Sequence, residues 1–123
     1  MFMKITQLVV VSTFLTLASA AFAECEYPSR VEIPDGATSD KDAMLAGQEA
    51  VKAYVADMEA YLDCIVTEEK TARMDMDDLQ PEEEQQREEM LNKKYNAAVA
   101  EMETVAARFN AEVQAYRGKS GEN

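Results

Sequence analysis

The fold is decided by the stretch DMDDLQPEEE, residues 75–84, which separates two long segments of helical periodicity. Its first part is polar and interrupts the apolar pattern, and Pro81 is followed at once by three glutamates. Proline in the first turn and acidic residues near the positive end of the helix dipole are typical of a helix start. We therefore predict an acidic turn at residues 75–80 and a second helix that begins at Pro81.

The segment before this turn predicts a first helix over about residues 39–74. It contains no proline and only one glycine, Gly47, and Ser39 offers an N-cap with Asp42 three residues later. Its apolar residues recur at steps of three, four and seven, which is the spacing of a buried helical stripe. The stripe consists of Met44, Val51, Val55, Met58, Leu62 and Ile65.

The segment after the turn predicts a second helix over about residues 81–117, ended by Gly118 and a polar tail at 118–123. Its stripe consists of Leu91, Tyr95, Ala98, Met102, Val105, Phe109 and Val113. If the chain reverses near Asp78, residues facing each other have numbers that sum to about 156. The predicted pairs include Ile65–Leu91, Leu62–Tyr95, Met58–Ala98, Val55–Met102 and Val51–Val105. We predict an all-α fold, an antiparallel two-helix hairpin that is coiled-coil-like, over residues 39–117.

Residues 1–23 have the three parts of a secretory signal peptide, namely a basic residue (Lys4), an apolar run and small residues around Phe22. The apolar run is short and interrupted for a bilayer crossing, which needs about 20 apolar residues. We predict a cleavable signal peptide and a location in the periplasm or outside the cell. An uncleaved N-terminal anchor is the alternative. No later segment is apolar enough to span a membrane, so we expect no membrane insertion after cleavage.

Cys25 and Cys64 are the only cysteines of the chain. In an oxidising compartment an even pair predicts one disulfide, and we expect it to be intrachain, with intermolecular pairing as the main alternative. Their wide separation excludes a C-x-x-C redox motif.

Residues 24–38 have the pattern of an extended segment, because Pro28 and Pro34 forbid a continuous helix. Extended chain covers about twice the distance per residue that a helix does, so the segment is long enough to reach back to Cys64. We predict that the disulfide clips this extended N-terminal segment to the first helix. Three apolar residues, Tyr27, Val31 and Ile33, would then cover the groove between the helices. A flexible tail that is pinned at one end is the alternative.

The composition excludes several classes of function. The chain has no histidine, so it has no Ser-His or Cys-His pair and no histidine ligand for a metal or haem. Its net charge is −12, which disfavours binding to nucleic acid or anionic lipid. We expect no enzymatic activity, no cofactor and no nucleic-acid partner.

Residues 68–89 form the tip of the predicted hairpin and hold ten acidic residues against three basic ones. The tip resembles a calcium loop from Asp75 onward, but Gln80 stands where that loop requires glycine and Gln86 where it requires glutamate. We therefore assign no metal site. The tip is expected to be stabilised by the i,i+4 pairs Glu69–Arg73, Glu83–Arg87 and Glu89–Lys93.

These features favour a small exported, non-enzymatic helical interaction or structural protein of the bacterial cell envelope, with an unknown protein partner. A periplasmic chaperone-like binder of unfolded chains is one alternative, and a weak metal-ion binder at the acidic tip is another. Three apolar residues, Val66, Val99 and Ala106, lie off the main stripes and could form the seam of a homodimer.

Overall fold

The computed structural model describes residues 24–120. Helix α1 spans Lys41–Met74 and helix α2 spans Pro81–Ser120, and the described range contains no strand. The helices pack against each other on either side of the turn at residues 75–80. The predicted all-α hairpin is confirmed. The predicted signal peptide, residues 1–23, lies outside the described residues, as do residues 121–123.

Helix α1 begins at Lys41, two residues later than the pattern predicts, and its N-cap is Asp40 instead of Ser39. The Asp40 carboxylate accepts a hydrogen bond from the Ala43 amide at 2.8 Å, which satisfies one of the free donors of the first turn. Ser39 belongs to the preceding turn, where its amide donates to the Asp35 carbonyl at 2.9 Å. The turn at Asp35 therefore delays the helix start.

Helix α2 continues through Gly118 to Ser120, so the predicted stop at residue 117 is wrong. The Lys119 ammonium donates to the Ser39 carbonyl and lies 5.1 Å from the centre of the Tyr116 ring. These contacts tie the last turn of α2 to the start of α1. They offset the weak helix propensity of glycine.

The core lies along the seam between the helices. Met58 and Ala98, a predicted pair of a large and a small residue, are both fully buried at 0% exposure. Tyr95 is an exception, since 40% of its surface stays exposed at the edge of the seam. The remaining buried apolar residues are Met44, Val51, Tyr54, Leu62, Ile65 and Val105.

The extended segment forms a third layer over this seam. The Cys25–Cys64 disulfide is present, with the two Cα atoms 5.7 Å apart, and it links the segment to α1 as predicted. Val31 and Ile33 pack against the core. The segment also lies very close to α1 at Gly47, where an added Cβ would be 2.6 Å from the Pro34 ring. This close approach explains why Gly47, which has no side chain, is buried in a helix.

Beyond Pro34 the segment crosses to α2. The Gly36 amide donates to the Glu112 carboxylate at 2.6 Å, and a Cβ on Gly36 would collide with the Glu112 carbonyl. The segment therefore contacts both helices at the open end of the hairpin. Its fixed path leaves one side of the helix pair covered.

Candidate interaction surface

The disulfide lies near the start of the covered side. Tyr27 and Tyr61 stack edge-on beside it, with ring centres 5.0 Å apart. The Glu68 carboxylate is 3.0 Å from the Cys25 sulfur, and the two sulfurs with Glu68 are the only close grouping of three potential metal-ligating residues within residues 24–120. Because both sulfurs are bonded to each other, they offer no thiolate, and thiolate is the form that ligates metals. The arrangement is a structural clip.

At the tip, an ion-pair cluster joins the two helices. Arg87 of α2 donates to both Glu69 carboxylate oxygens, at 2.9 and 3.1 Å. Arg73 donates to the same carboxylate at 3.0 Å, which is the predicted i,i+4 pair. The predicted partner of Arg87 was Glu83, and the structure instead directs Arg87 across the hairpin to Glu69. Glu69 is the better acceptor because its side chain is only 18% exposed and is therefore less satisfied by water.

The electrostatics of this cluster fix the charge of Glu69. Burial alone raises the pKa of the Glu69 carboxyl, but the hydrogen bonds and charges of Arg73 and Arg87 outweigh burial and hold that pKa below 4.5. Glu69 is thus ionised and already paired at neutral pH. A carboxylate in this state is a poor proton acceptor, so it is suited to holding the helices together and not to acid–base chemistry.

The other acidic residues of the tip are spread over an exposed surface. Glu82, Glu83 and Glu84 occupy the first turn of α2, where they interact favourably with the helix dipole. Within the described part of the chain, the tip acids do not converge into a group of three ligand atoms. The tip geometry therefore gives no support to the alternative of a metal-ion binder.

Two cavities lie on the covered side. One of about 690 Å³ follows the segment and is lined by Tyr27, Tyr54, Tyr61 and several alanines. Another of about 430 Å³ lies between the disulfide and the tip, where Arg87 and Lys94 share the wall with acidic residues. Their linings consist of phenols, small apolar groups and mixed charges. They do not present a nucleophile beside a histidine base, since the chain has no histidine.

The opposite side of the helix pair is not covered by the segment. We call this surface the open flank. It carries several apolar or aromatic residues that are half-buried or, for Tyr95, exposed, and on α1 the exposed Glu59 interrupts them four residues after Val55. They are Val55 and Val66 of α1 and Tyr95, Val99, Met102 and Ala106 of α2. The predicted seam residues Val66, Val99 and Ala106 belong to it, together with three residues of the predicted core stripes, Val55, Tyr95 and Met102.

Helix geometry places the open flank away from the segment. On α1 the segment is contacted by Gly47 and Tyr61, which are 14 residues apart and lie on one face. Val55 is eight residues beyond Gly47, which at about 100° per residue turns its side chain some 80° toward α2 and past the covered side. On α2 the segment contacts Glu112, whereas Ala106 lies six residues earlier and therefore on a different face.

No protein-family model, no curated protein and no solved structure matches the chain. Neither α1 nor α2 is long and apolar enough to cross a membrane. A functional assignment therefore depends on the surface itself.

Proposed function

We propose that the chain is a small exported, non-enzymatic interaction or structural protein of the bacterial cell envelope, and that it acts through the open flank. Two features support export. Residues 1–23 have the pattern of a signal peptide, and the Cys25–Cys64 disulfide is the kind of bond that persists in an oxidising compartment such as the periplasm.

The observation that carries the interaction role is the contrast between the two sides of the hairpin. One side is overlaid by a covalently attached segment, while on the other side Val55, Val99 and Met102 pack against the core and stay partly exposed. Several apolar side chains that stay partly exposed on one face of a small, strongly charged protein favour a docking site there. Because both helices are clamped, this surface is also preorganised, which lowers the entropic cost of binding.

The test places a photo-crosslinking amino acid at Val99 in the full-length chain expressed in its own cells. The matched control places the same group at Ala107, which is exposed on another face of α2. We expect discrete crosslinked products in the envelope fraction from position 99 and none from position 107. Identical patterns from both positions, or no product from either, would contradict the proposal. Loss of the protein from the envelope fraction on deletion of residues 2–23 checks its export.

The open flank also supports the chaperone-like alternative, since a binder of unfolded chains needs exposed apolar surface. The two functions differ in selectivity. A chaperone suppresses the aggregation of an unrelated reduced protein at equimolar ratio, whereas an interaction module does not. Suppression that is lost in Val99→Glu and kept in Ala107→Glu would favour the chaperone.

A further inference from the structure

Glu24 lies beside the disulfide and borders two cavities. It lines the cavity of about 430 Å³ between the disulfide and the tip, and a further cavity of about 550 Å³ along α1. Glu68 of α1 lines the same two cavities, and one oxygen of its carboxylate is 3.0 Å from the Cys25 sulfur. The main-chain nitrogen of Glu24 is within roughly 8 Å of that sulfur, because the two atoms belong to consecutive residues. This nitrogen is therefore close to the Glu68 carboxylate.

Negative charge collects around this nitrogen. The cavity along α1 is lined by four acidic residues and by no basic residue of the described chain, and the acidic residues are Glu24, Asp63, Glu68 and Asp75. At the other cavity the Arg87 guanidinium is already bonded to the Glu69 carboxylate. Lys94 is the remaining basic residue among those that line that wall.

The Glu68 carboxylate faces a group that cannot donate a hydrogen bond to it. The Cys25 sulfur is bonded to the Cys64 sulfur and carries no hydrogen. A carboxylate is stabilised by hydrogen-bond donors and by positive charge. Between residues 24 and 120, Glu68 takes part in none of the ion pairs, which involve Glu49, Glu69 and Glu84 instead. The position beside the disulfide therefore suits a cation.

Cleavage of the predicted signal peptide would create a cation at this place. Ala21 and Ala23 are the small residues that end the signal-peptide pattern, so the expected cleavage lies between Ala23 and Glu24. A signal peptidase hydrolyses this amide bond with one water molecule. The reaction leaves a carboxylate on Ala23 and converts the Glu24 nitrogen into a terminal amino group, which is protonated to an ammonium group at neutral pH.

We infer that removal of residues 1–23 completes the clip, because the new terminal ammonium group of Glu24 pairs with the Glu68 carboxylate beside the disulfide. The N-terminal segment is then held to α1 by one covalent bond and one ion pair. Both are products of export, since the disulfide requires an oxidising compartment and the ammonium group requires cleavage. The inference rests on the export part of the proposed function and is independent of the open flank.

The surrounding charges favour the protonated form of the amino group. The acidic groups are Glu24 and Glu26 of the segment with Asp63, Glu68, Glu69 and Asp75 of α1, and the other titratable groups are Tyr61 of α1 with Arg87 and Lys94 of α2. This surplus of negative charge should hold the pKa of the terminal amino group above its ordinary range of about 7.7–8.0. Burial alone would lower the pKa of an amine, so a raised pKa distinguishes an ion pair from a buried terminus.

The first experiment identifies the terminus. The full chain is expressed with residues 1–23 and exported, and the mass of the purified protein is measured with the disulfide intact. We expect the mass of residues 24–123. A processed chain that begins at any other residue would overturn the inference, and so would an exported chain that keeps residues 1–23.

The second experiment titrates the terminal amino group by nuclear magnetic resonance, through the Cα signal of Glu24 in protein labelled with carbon-13 glutamate. We expect a pKa above the ordinary range. Glu68→Gln should lower this pKa, so that the fraction of uncharged amine at pH 7 rises about twofold or more, as for the loss of an exposed ion pair. The matched control is Glu59→Gln, which removes an exposed carboxylate from another face of α1 and should leave the titration unchanged. Circular dichroism of both variants confirms that the helices remain.

Salt provides a further readout, because sodium chloride at 1 M screens exposed charges and should lower the raised pKa. An amino group that titrates in its ordinary range in wild type, or one that responds equally to Glu68→Gln and Glu59→Gln, would overturn the inference. In either case a crosslink from position 99 to an envelope component would leave the proposed function standing. A raised pKa without any such crosslink would support the ion pair and contradict the proposed function.

Discussion

Removing the Cys25–Cys64 disulfide should destabilise the whole hairpin, although the bond joins only the extended segment to α1. The bond closes a loop of about 40 residues, since the two cysteines are 39 apart in sequence. In the chain-entropy model, opening such a loop costs roughly 4 kcal/mol of unfolding free energy. A domain of this size has a total stability of about 5–15 kcal/mol, so the loss is a large share of it.

The perturbation is the double substitution Cys25→Ala with Cys64→Ala, which leaves no unpaired thiol. Urea unfolding followed by circular dichroism at neutral pH measures the effect. With a denaturant slope of about 1.3 kcal/mol per molar urea, the midpoint should fall by about 3 M. Wild-type protein kept reduced with a dithiol is the control, because it retains both side chains and lacks only the bond. It should show nearly the same shift.

The reasoning has a clear point of failure. The segment stabilises the hairpin only if it unfolds together with the helices, through contacts such as Val31 and Ile33 on the core. A midpoint shift below about 0.5 M would show that the segment detaches independently of the helices, which would refute the three-layer description.

Two further substitutions test the clamps at the ends of the seam. Gly47→Ala should lower the unfolding free energy by about 1–2 kcal/mol, although alanine has the better helix propensity, because the added Cβ would displace the rigid Pro34 ring. The matched control is Gly118→Ala, whose added Cβ meets nothing within 4 Å and which should be neutral or slightly stabilising. A destabilised Gly118→Ala with an unaffected Gly47→Ala would be the opposite of this expectation. Glu69→Gln should cost about 1–2 kcal/mol at pH 7, and the exposed Glu88→Gln almost nothing, in urea titrations of both variants. Since the pKa of Glu69 is lowered on folding, its contribution is complete above the pKa of an ordinary glutamate and is lost as the pH falls through the lowered pKa, so the difference from wild type should shrink as the pH is lowered. A difference that does not shrink down to the most acidic pH at which both proteins stay folded would assign the effect to packing.

The sequence allowed the hairpin and its clip to be predicted because each depends on a regular signal. Two stripes of matching period flank a break that contains Pro81, and this combination leaves one simple way to bury both stripes. The disulfide followed from an even cysteine pair, an export pattern and the reach of an extended chain. Fully buried Met58 and Ala98 agree with the register inferred from residue numbers alone.

The features that could not be predicted all depend on contacts between distant parts of the chain. The sequence shows Gly47 only as the single glycine of a predicted helix, and the path of Pro34 explains why a side chain is excluded there. Arg87 had a local partner at the right spacing, yet it bonds to Glu69 of the other helix. The i,i+4 spacing rule considers only residues close in sequence and therefore favours Glu83. Arg87 instead bonds to the partly buried Glu69 carboxylate, because water hydrates that carboxylate less.

The open flank follows from these same contacts. The disulfide and the Gly47 contact fix the segment on one side, and the Glu69 cluster fixes the spacing of the helices at the tip. A free segment could move around the hairpin and cover Val99 as well as the opposite side. A clamped segment cannot do so, because Gly36 is held against Glu112 at one end and Cys25 is bonded at the other. The disulfide-linked N-terminal segment therefore stabilises the hairpin by covering one side only, and the open flank stays available for a partner.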